Sequence, residues 1–309
     1  MKKAVKAASL SVGLVGCLFL GNPLGARADT IYVANEIDNT IEEIPSGGTG
    51  SVFATTSFPE PQGLAFDHAG NLYVADVGTP VDGDTNNAIE KFTPAGVGSI
   101  FTTNFLNAPL GLAFDSAGNL YAANFSVTGS GSVVKFTPSG TGSLFASSGV
   151  SGAAGLAFDG VGNLYVANLN NSTIEKFGTN GVGSVFASTG VDEPAGLAFD
   201  KSGNLYVANR GDNTIEEFGT NGVGSVFAST GVDGPVGLAF DSAGDLYVAN
   251  FGNNTIEEFG TNGLPVFAIT GLDGPTFLAI QVPEPSTWAM VALGCGITLG
   301  TRRLRRRSS

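Results

Sequence analysis

The stretch GLAFDKSGNLYVAN, residues 196–209, returns four more times in the same frame. The copies begin at Gly63, Gly111, Gly155 and Gly237, and each joins two short β-prone runs through Asp-x-x-Gly. Two further runs complete each unit. In the fifth unit the four fall at 196–200, 205–209, 214–218 and 225–228, bounded by Gly, Asn or Asp as strands in a turn-rich protein are. All six tyrosines of the chain occupy one repeat position: Tyr32, Tyr73, Tyr121, Tyr165, Tyr206 and Tyr247, at intervals of 41, 48, 44, 41 and 41 residues. A repeat near 40 residues built from four short strands predicts propeller blades.

The two ends of the repeat region decide between a ring and an open solenoid. The region opens at the second run, TIYVAN from Thr30, and closes on a lone first run, TFLAIQ from Thr276 to Gln281. Three strands at the start and one at the finish make one more blade, which leaves neither terminus as a free sheet edge. A solenoid would need polar capping repeats, and the end units are not strongly polar. The expectation is an all-β, six-bladed β-propeller over residues 29–281, four antiparallel strands per blade, closed by N-terminal strands pairing with the C-terminal strand.

The pattern Pro-x-Gly-Leu-Ala-Phe-Asp-x-x-Gly-Asn-Leu-Tyr-Val-Ala-Asn resembles the NHL repeat, over essentially the whole body. The resemblance implies that the first run lies innermost around a channel. The chain departs from that family where many members carry Arg before the Ile of the third run: here stand Thr40, Ala88, Val133, Thr173, Thr214 and Thr255. It also lacks the basic face of the nucleic-acid-binding members. Between Asp29 and Gln281 there are 26 acidic residues against Lys91, Lys135, Lys176, Lys201 and Arg210, a charge of −21 on the body of a chain whose total is −13. Such a body repels phosphate backbones, so no nucleic-acid partner is expected.

The repeated carboxylates Asp67, Asp115, Asp159, Asp200 and Asp241 each stand three residues before a Gly, which is the pattern of a type I turn rather than of a site. Gln281 replaces the sixth, where no turn follows. The ring of Asn35, Asp76, Asn124, Asn168, Asn209 and Asn250 begins inter-strand connections and reads as turn caps. Adjacent acids in the third runs, such as Glu42-Glu43 and Glu216-Glu217, face opposite sides of a sheet and read as a solvated face, not as acid/base dyads. His68 is the only histidine, so a His triad or a multi-His metal site is excluded. Arg210-Gly211-Asp212 spells an adhesion tripeptide but occupies the place of an ordinary turn. Asp82, Asp84 and Asn86 in the longest insertion look like the start of a Ca²⁺ loop, without the Gly and Glu that complete one; no other metal and no cofactor is indicated.

The tails carry addresses. Lys2, Lys3 and Lys6, an apolar stretch and Ala26-Arg27-Ala28 make a signal peptide over 1–28, cut by signal peptidase between Ala28 and Asp29. Leu14-Val15-Gly16-Cys17 also resembles a lipobox, in which Cys17 would be lipidated. With Cys17 and Cys295 both in the tails, the body has no thiol chemistry. At the other end Pro283-Glu284-Pro285 precedes an apolar stretch over 288–300 and five arginines. That stretch is short for a bilayer core of roughly 30 Å, and the arginines hold its end in the cytoplasm. The three parts in order resemble a PEP-CTERM sorting signal over 282–309. That resemblance implies an exosortase partner in a Gram-negative envelope, a transient membrane stay and release at the cell surface or extracellular matrix.

The sequence therefore points to a non-enzymatic surface propeller that binds a glycan or a protein, or belongs to an exopolysaccharide matrix. Its ligand face is expected where the loops after the second run meet those before the first, at Gln62, Leu110, Phe125, Leu169, Arg210, Phe251 and Thr276, because specificity falls on variable positions of a repeating frame. The alternative, implied by six-bladed relatives, is a calcium-dependent gluconolactonase-like hydrolase, which needs acids inside the channel.

Overall fold

The computed structural model describes residues 29–282, apart from 46, 47, 79, 82, 83 and 129. The signal peptide with Ala28 and Cys17, the insertion residue Asp82, Pro283-Glu284-Pro285 and the 288–300 stretch lie outside the described residues.

Six antiparallel sheets of four strands form the ring. In blade 5 the strands are Pro194–Phe199, Leu205–Asn209, Thr214–Phe218 and Gly224–Ala228, in spatial order from channel to rim. Blades 2, 3, 4 and 6 repeat this from Pro61, Pro109, Ala153 and Pro235. Blade 1 takes its inner strand from the far end of the chain. Pro275–Gln281 pairs with Thr30–Asn35, in the register Thr30 to Gln281, Ile31 to Ile280, Tyr32 to Ala279 and Val33 to Leu278. Thr40–Pro45 and Ser51–Thr55 complete that sheet.

Two details depart from the sequence reading. Inner strands begin at the Pro or Ala two residues before the Gly and carry a bulge before the Leu, as between Pro194 and Leu197; Pro is admissible as a first strand residue. The long insertion after Asp76 holds a small extra hairpin, Pro80–Val81 with Asp84–Thr85.

The core lies between blades rather than within them. One cluster joins Tyr32, Ala34, Ile41 and Ala54 of blade 1 to Leu64, Leu72, Val74 and Phe92 of blade 2, and the pattern recurs around the ring. The tyrosine is the pivot of each cluster. Tyr165 meets Phe186 of its own outer strand edge to face at 5.0 Å, and Phe199 of the next inner strand at 5.0 Å. Such pairs add about 0.5–1.5 kcal/mol beyond burial. At the seam between blades 6 and 1, Ile269 and Ile280 pack with Tyr247 instead.

The glycine of GLAF is set by the next blade. A Cβ on Gly155 would stand 2.3 Å from the carbonyl oxygen of Ala195, and one on Gly111 would stand 2.3 Å from that of Ala154. The inner strands approach too closely for any side chain pointing that way. In the closing strand the position belongs to Phe277, which lines the channel.

Candidate binding face

The ring has two unlike mouths. At the lower one lie the Asp-x-x-Gly turns. Asp200 accepts the N–H of Ser202 and of Asn204 on Oδ1, both at 2.8 Å, and Asn204 Nδ2 on Oδ2 at 3.1 Å. The N–H of Gly203 reaches the Asp200 carbonyl at 3.2 Å, and Gly203 sits at φ +86°, where a side chain would be strained. The turn role assigned to these carboxylates is what the geometry shows.

A division of charge at this mouth escaped the sequence reading. The residue paired with the repeat tyrosine is Lys91, Lys135 or Lys176 in blades 2 to 4, and Glu217, Glu258 or Glu43 in blades 5, 6 and 1. Each lysine lies over its tyrosine ring at 5.0–5.1 Å and 3.4–3.5 Å from the turn carboxylate. Burial opposes the charge of Asp67, Asp115 and Asp159. Hydrogen bonds from Asn71, Asn119 and Asn163, with the lysine beside each, nevertheless hold them below the ordinary carboxylate range. In the other half a glutamate accepts the tyrosine hydroxyl, as Glu258 does from Tyr247 at 3.0 Å.

The upper mouth is assembled by a sixfold ring of backbone bonds. The first residue after each second strand donates to the residue that precedes an inner strand: Glu36 to Gly274, Val77 to Glu60, Phe125 to Ala108, Leu169 to Gly152, Arg210 to Glu193 and Phe251 to Gly234, at 2.9–3.2 Å. This places Phe125, Leu169, Arg210 and Phe251 around one rim. Arg210 is exposed, and its guanidinium stands 5.9 Å from the Phe251 ring centre. Leu110 is half-buried beside them. Gln62 and Thr276 lie deeper, 8% and 2% exposed, at the seam of the ring. There the Thr276 hydroxyl is 3.2–3.4 Å from the carbonyls of Ala34, Pro61 and Gln62. Arg210-Gly211-Asp212 is a turn: Gly211 N–H donates to Asp192, and Asp212 accepts the Thr214 hydroxyl at 2.7 Å. Of the insertion residues, Asn86 is exposed.

Latches between neighbouring blades were also missed. Asn39 Oδ1 accepts Glu60 N–H at 2.8 Å, Asn213 accepts Gly234 N–H at 2.6 Å, Asn254 accepts Gly274 N–H at 3.0 Å and Ser172 Oγ accepts Glu193 N–H at 3.1 Å. All four have positive φ, between 52° and 59°. The recurring Asn before Thr in the second turn was the available signal.

The solvated-face reading of the third-strand acids needs correction at their first positions. Glu90, Glu175 and Glu216 are 1–6% exposed. They lie beneath the loop that enters their blade: a Cβ on Gly149 would meet Glu175 Oε1 at 2.8 Å, and one on Gly190 would meet Glu216 Oε1 at 2.7 Å. Burial pushes the carboxyls of Glu175, Glu216 and Glu257 above their ordinary range.

The channel between the mouths is narrowed by one leucine per blade, Leu64, Leu112, Leu156, Leu197, Leu238 and Leu278, each 5–7% exposed. With Gly111 and Phe277 they enclose a cavity of about 100 Å³, and no acid lines it.

These features define a six-bladed propeller with a constricted, leucine-ringed channel and one variable rim. The sequence model of the NHL repeat matches residues 233–259. No curated protein matches the chain in sequence. Among solved structures, virginiamycin B lyase from Staphylococcus aureus is similar with a TM-score of 0.59 and 16% identity, covering 78% of this chain and 80% of that one. A gluconolactonase from Xanthomonas campestris is similar with a TM-score of 0.61 and 19% identity, covering 72% of this chain and 79% of that one. At such identities the likeness concerns the fold.

Proposed function

We propose that the protein is an exported, surface-sorted propeller that binds a surface glycan or protein at its upper mouth and catalyses no reaction. The observation that carries this reading is the contrast between the mouth and the channel. Side chains that differ from blade to blade gather at the rim, around Arg210 and Phe251, while the channel below is closed by near-identical leucines and Phe277. Where catalytic propellers place a metal in the channel, side-chain oxygens must converge there, and the residues that line this cavity bring no acid, amide or hydroxyl side chain. The two similar structures are named as enzymes, which keeps a lactonase-like hydrolase as the competing reading.

Export and sorting rest on the tails. The N-terminal signal would be removed at Ala28, and a membrane peptidase of the exosortase kind would cut near Pro283-Glu284-Pro285. Val282 lines a cavity with Asp200, Lys201, Asp241 and Ser242 of the lower turns, and Asp29 caps the Ser242 N–H at 2.6 Å. Asp29 and Val282, at the two ends of the described body, thus both lie at the lower mouth.

Three measurements test this. A glycan and protein array probed with the protein should give hits that Arg210→Ala and Phe251→Ala weaken by tenfold or more, without a change in thermal stability. Lactone turnover that a chelator abolishes would overturn the reading in favour of the enzyme. Intact mass of protein from the native surface should show a chain running from near Asp29 to near Pro283. Retention of the arginine tail in the surface form would count against sorting.

A further inference from the structure

Asn35, Asp76, Asn124, Asn168, Asn209 and Asn250 hold one structural position, and in blades 3 to 6 it is fully satisfied. There the amide oxygen accepts the N–H of Asn107, Ser151, Asp192 or Asp233, seventeen residues earlier, at 3.0–3.2 Å. Its Nδ2 donates to the carbonyl of Phe105, Gly149, Gly190 or Gly231 at 2.8–3.0 Å. It also reaches the hydroxyl of Ser132, Thr173, Thr214 or Thr255.

Blade 2 removes two of these three partners. The residue seventeen before Asp76 is Pro59, which has no N–H. The hydroxyl position is Ala88, in register with Asp76. The side chain itself is a carboxyl rather than an amide. Asp76 is 0% exposed, and neither of its carboxyl oxygens has a hydrogen-bond partner. A second acid stands beside it. Glu90 is 1% exposed, and its Oε2 accepts the Ser57 N–H at 2.9 Å. In blade 1 the equivalent pair, Asn35 and Glu42, is in contact, Nδ2 to Oε2 at 3.4 Å, so the frame brings these two side chains together.

We propose that Asp76 and Glu90 hold a buried divalent cation of the hard, calcium class. Two carboxylates taken out of water must either take up protons or find positive charge beside them. A proton would serve one oxygen of Asp76 and leave the other without a donor, whereas calcium engages both oxygens of a carboxylate at once. His68, the only histidine, is in a lower turn, and both cysteines belong to the tails, so the donors are oxygen alone and the softer transition metals are not favoured. Among the described residues no third acid, histidine or cysteine joins the pair, so the further oxygens that calcium takes would come from backbone carbonyls and water. This site is separate from the channel and lies beneath the blade-2 loops of the upper mouth, where Val77 meets Glu60.

The test is a calcium chloride titration of the chelator-stripped, full-length chain, read by thermal unfolding and by calorimetry. The expected result is one strongly bound ion per chain and a melting temperature that rises with calcium concentration, as preferential binding to the native state requires. Asp76→Asn restores the amide of the other blades, so it should fold and bind calcium at least tenfold more weakly; Glu90→Gln should do the same. Asp84→Ala and Asn86→Ala should leave the affinity unchanged. A wild-type chain whose melting temperature ignores calcium overturns the proposal. So does a response that survives in Asp76→Asn, or one that is lost in Asp84→Ala.

Discussion

At the scale of single residues, the same amino acid does opposite work at two positions of one repeat. Asp200 is half-buried and its carboxyl group accepts three hydrogen bonds. Asp200→Asn keeps an acceptor oxygen and should change stability little, while Asp200→Ala should cost about 1–2 kcal/mol by leaving turn N–H groups unpaired; urea unfolding of the two variants checks the difference. Asp76 is sealed and unpartnered. Burial, with the Glu90 carboxylate adding to it, pushes its pKa up to about 9. The unfolded chain releases that proton near pH 3.9, so between these values the native state binds a proton the unfolded state lacks. Stability in calcium-free solution should therefore fall as pH rises from about 4 towards 9. Asp76→Asn should remove that slope, because an amide does not titrate and can donate to Glu90 as Asn35 does to Glu42. Equal pH profiles for the variant and the wild type would refute this account.

At the scale of the strand, the inner element is shaped by the blade that follows it. Gly155→Ala puts a methyl group 2.3 Å from the Ala195 oxygen, and the strands must part to admit it. A loss of about 1–3 kcal/mol is expected, as for overpacking elsewhere, seen as a lower denaturation midpoint with unchanged β content. Gly160→Ala is the control: a Cβ there meets nothing within 4 Å and the position is exposed. The strand sequences announce period-two alternation and their bounding turns. They are silent on which neighbour each face meets, and the Gly and the Tyr make sense only once that neighbour is in place.

The whole molecule is held by closure. Thr30–Asn35 is buried along its length and depends on Pro275–Gln281 for one of its two hydrogen-bonded edges. Deleting residues 275–281 should expose Ile31, Val33 and the leucine ring, and should remove several kcal/mol of apolar burial at about 25 cal/mol per Å². It should also leave a free strand edge that promotes association. Thermal unfolding with light scattering reads both effects. A truncated chain as stable and as monomeric as the parent would mean that the ring does not depend on its seam.

By itself the sequence determined the class of fold, the number of blades, the place of each turn and the manner of closing. All of these follow from copy number and from local rules: alternation along a strand, Asp and Gly in a turn, and an incomplete unit at each end. It also pointed to the rim, because variable positions stand out against a constant frame. Only the tertiary structure decided how the repeats meet. Tyr165 reaches Phe199 of the next blade, Asn213 latches to Gly234, Glu90 goes under a loop rather than into solvent, and Asp76 finds Pro59 where its counterparts find an N–H. The physical reason is that hydrogen-bond partners, burial and close contact belong to pairs of residues. In a propeller many of those pairs lie a repeat or part of one apart in the chain, and across the seam they join its two ends.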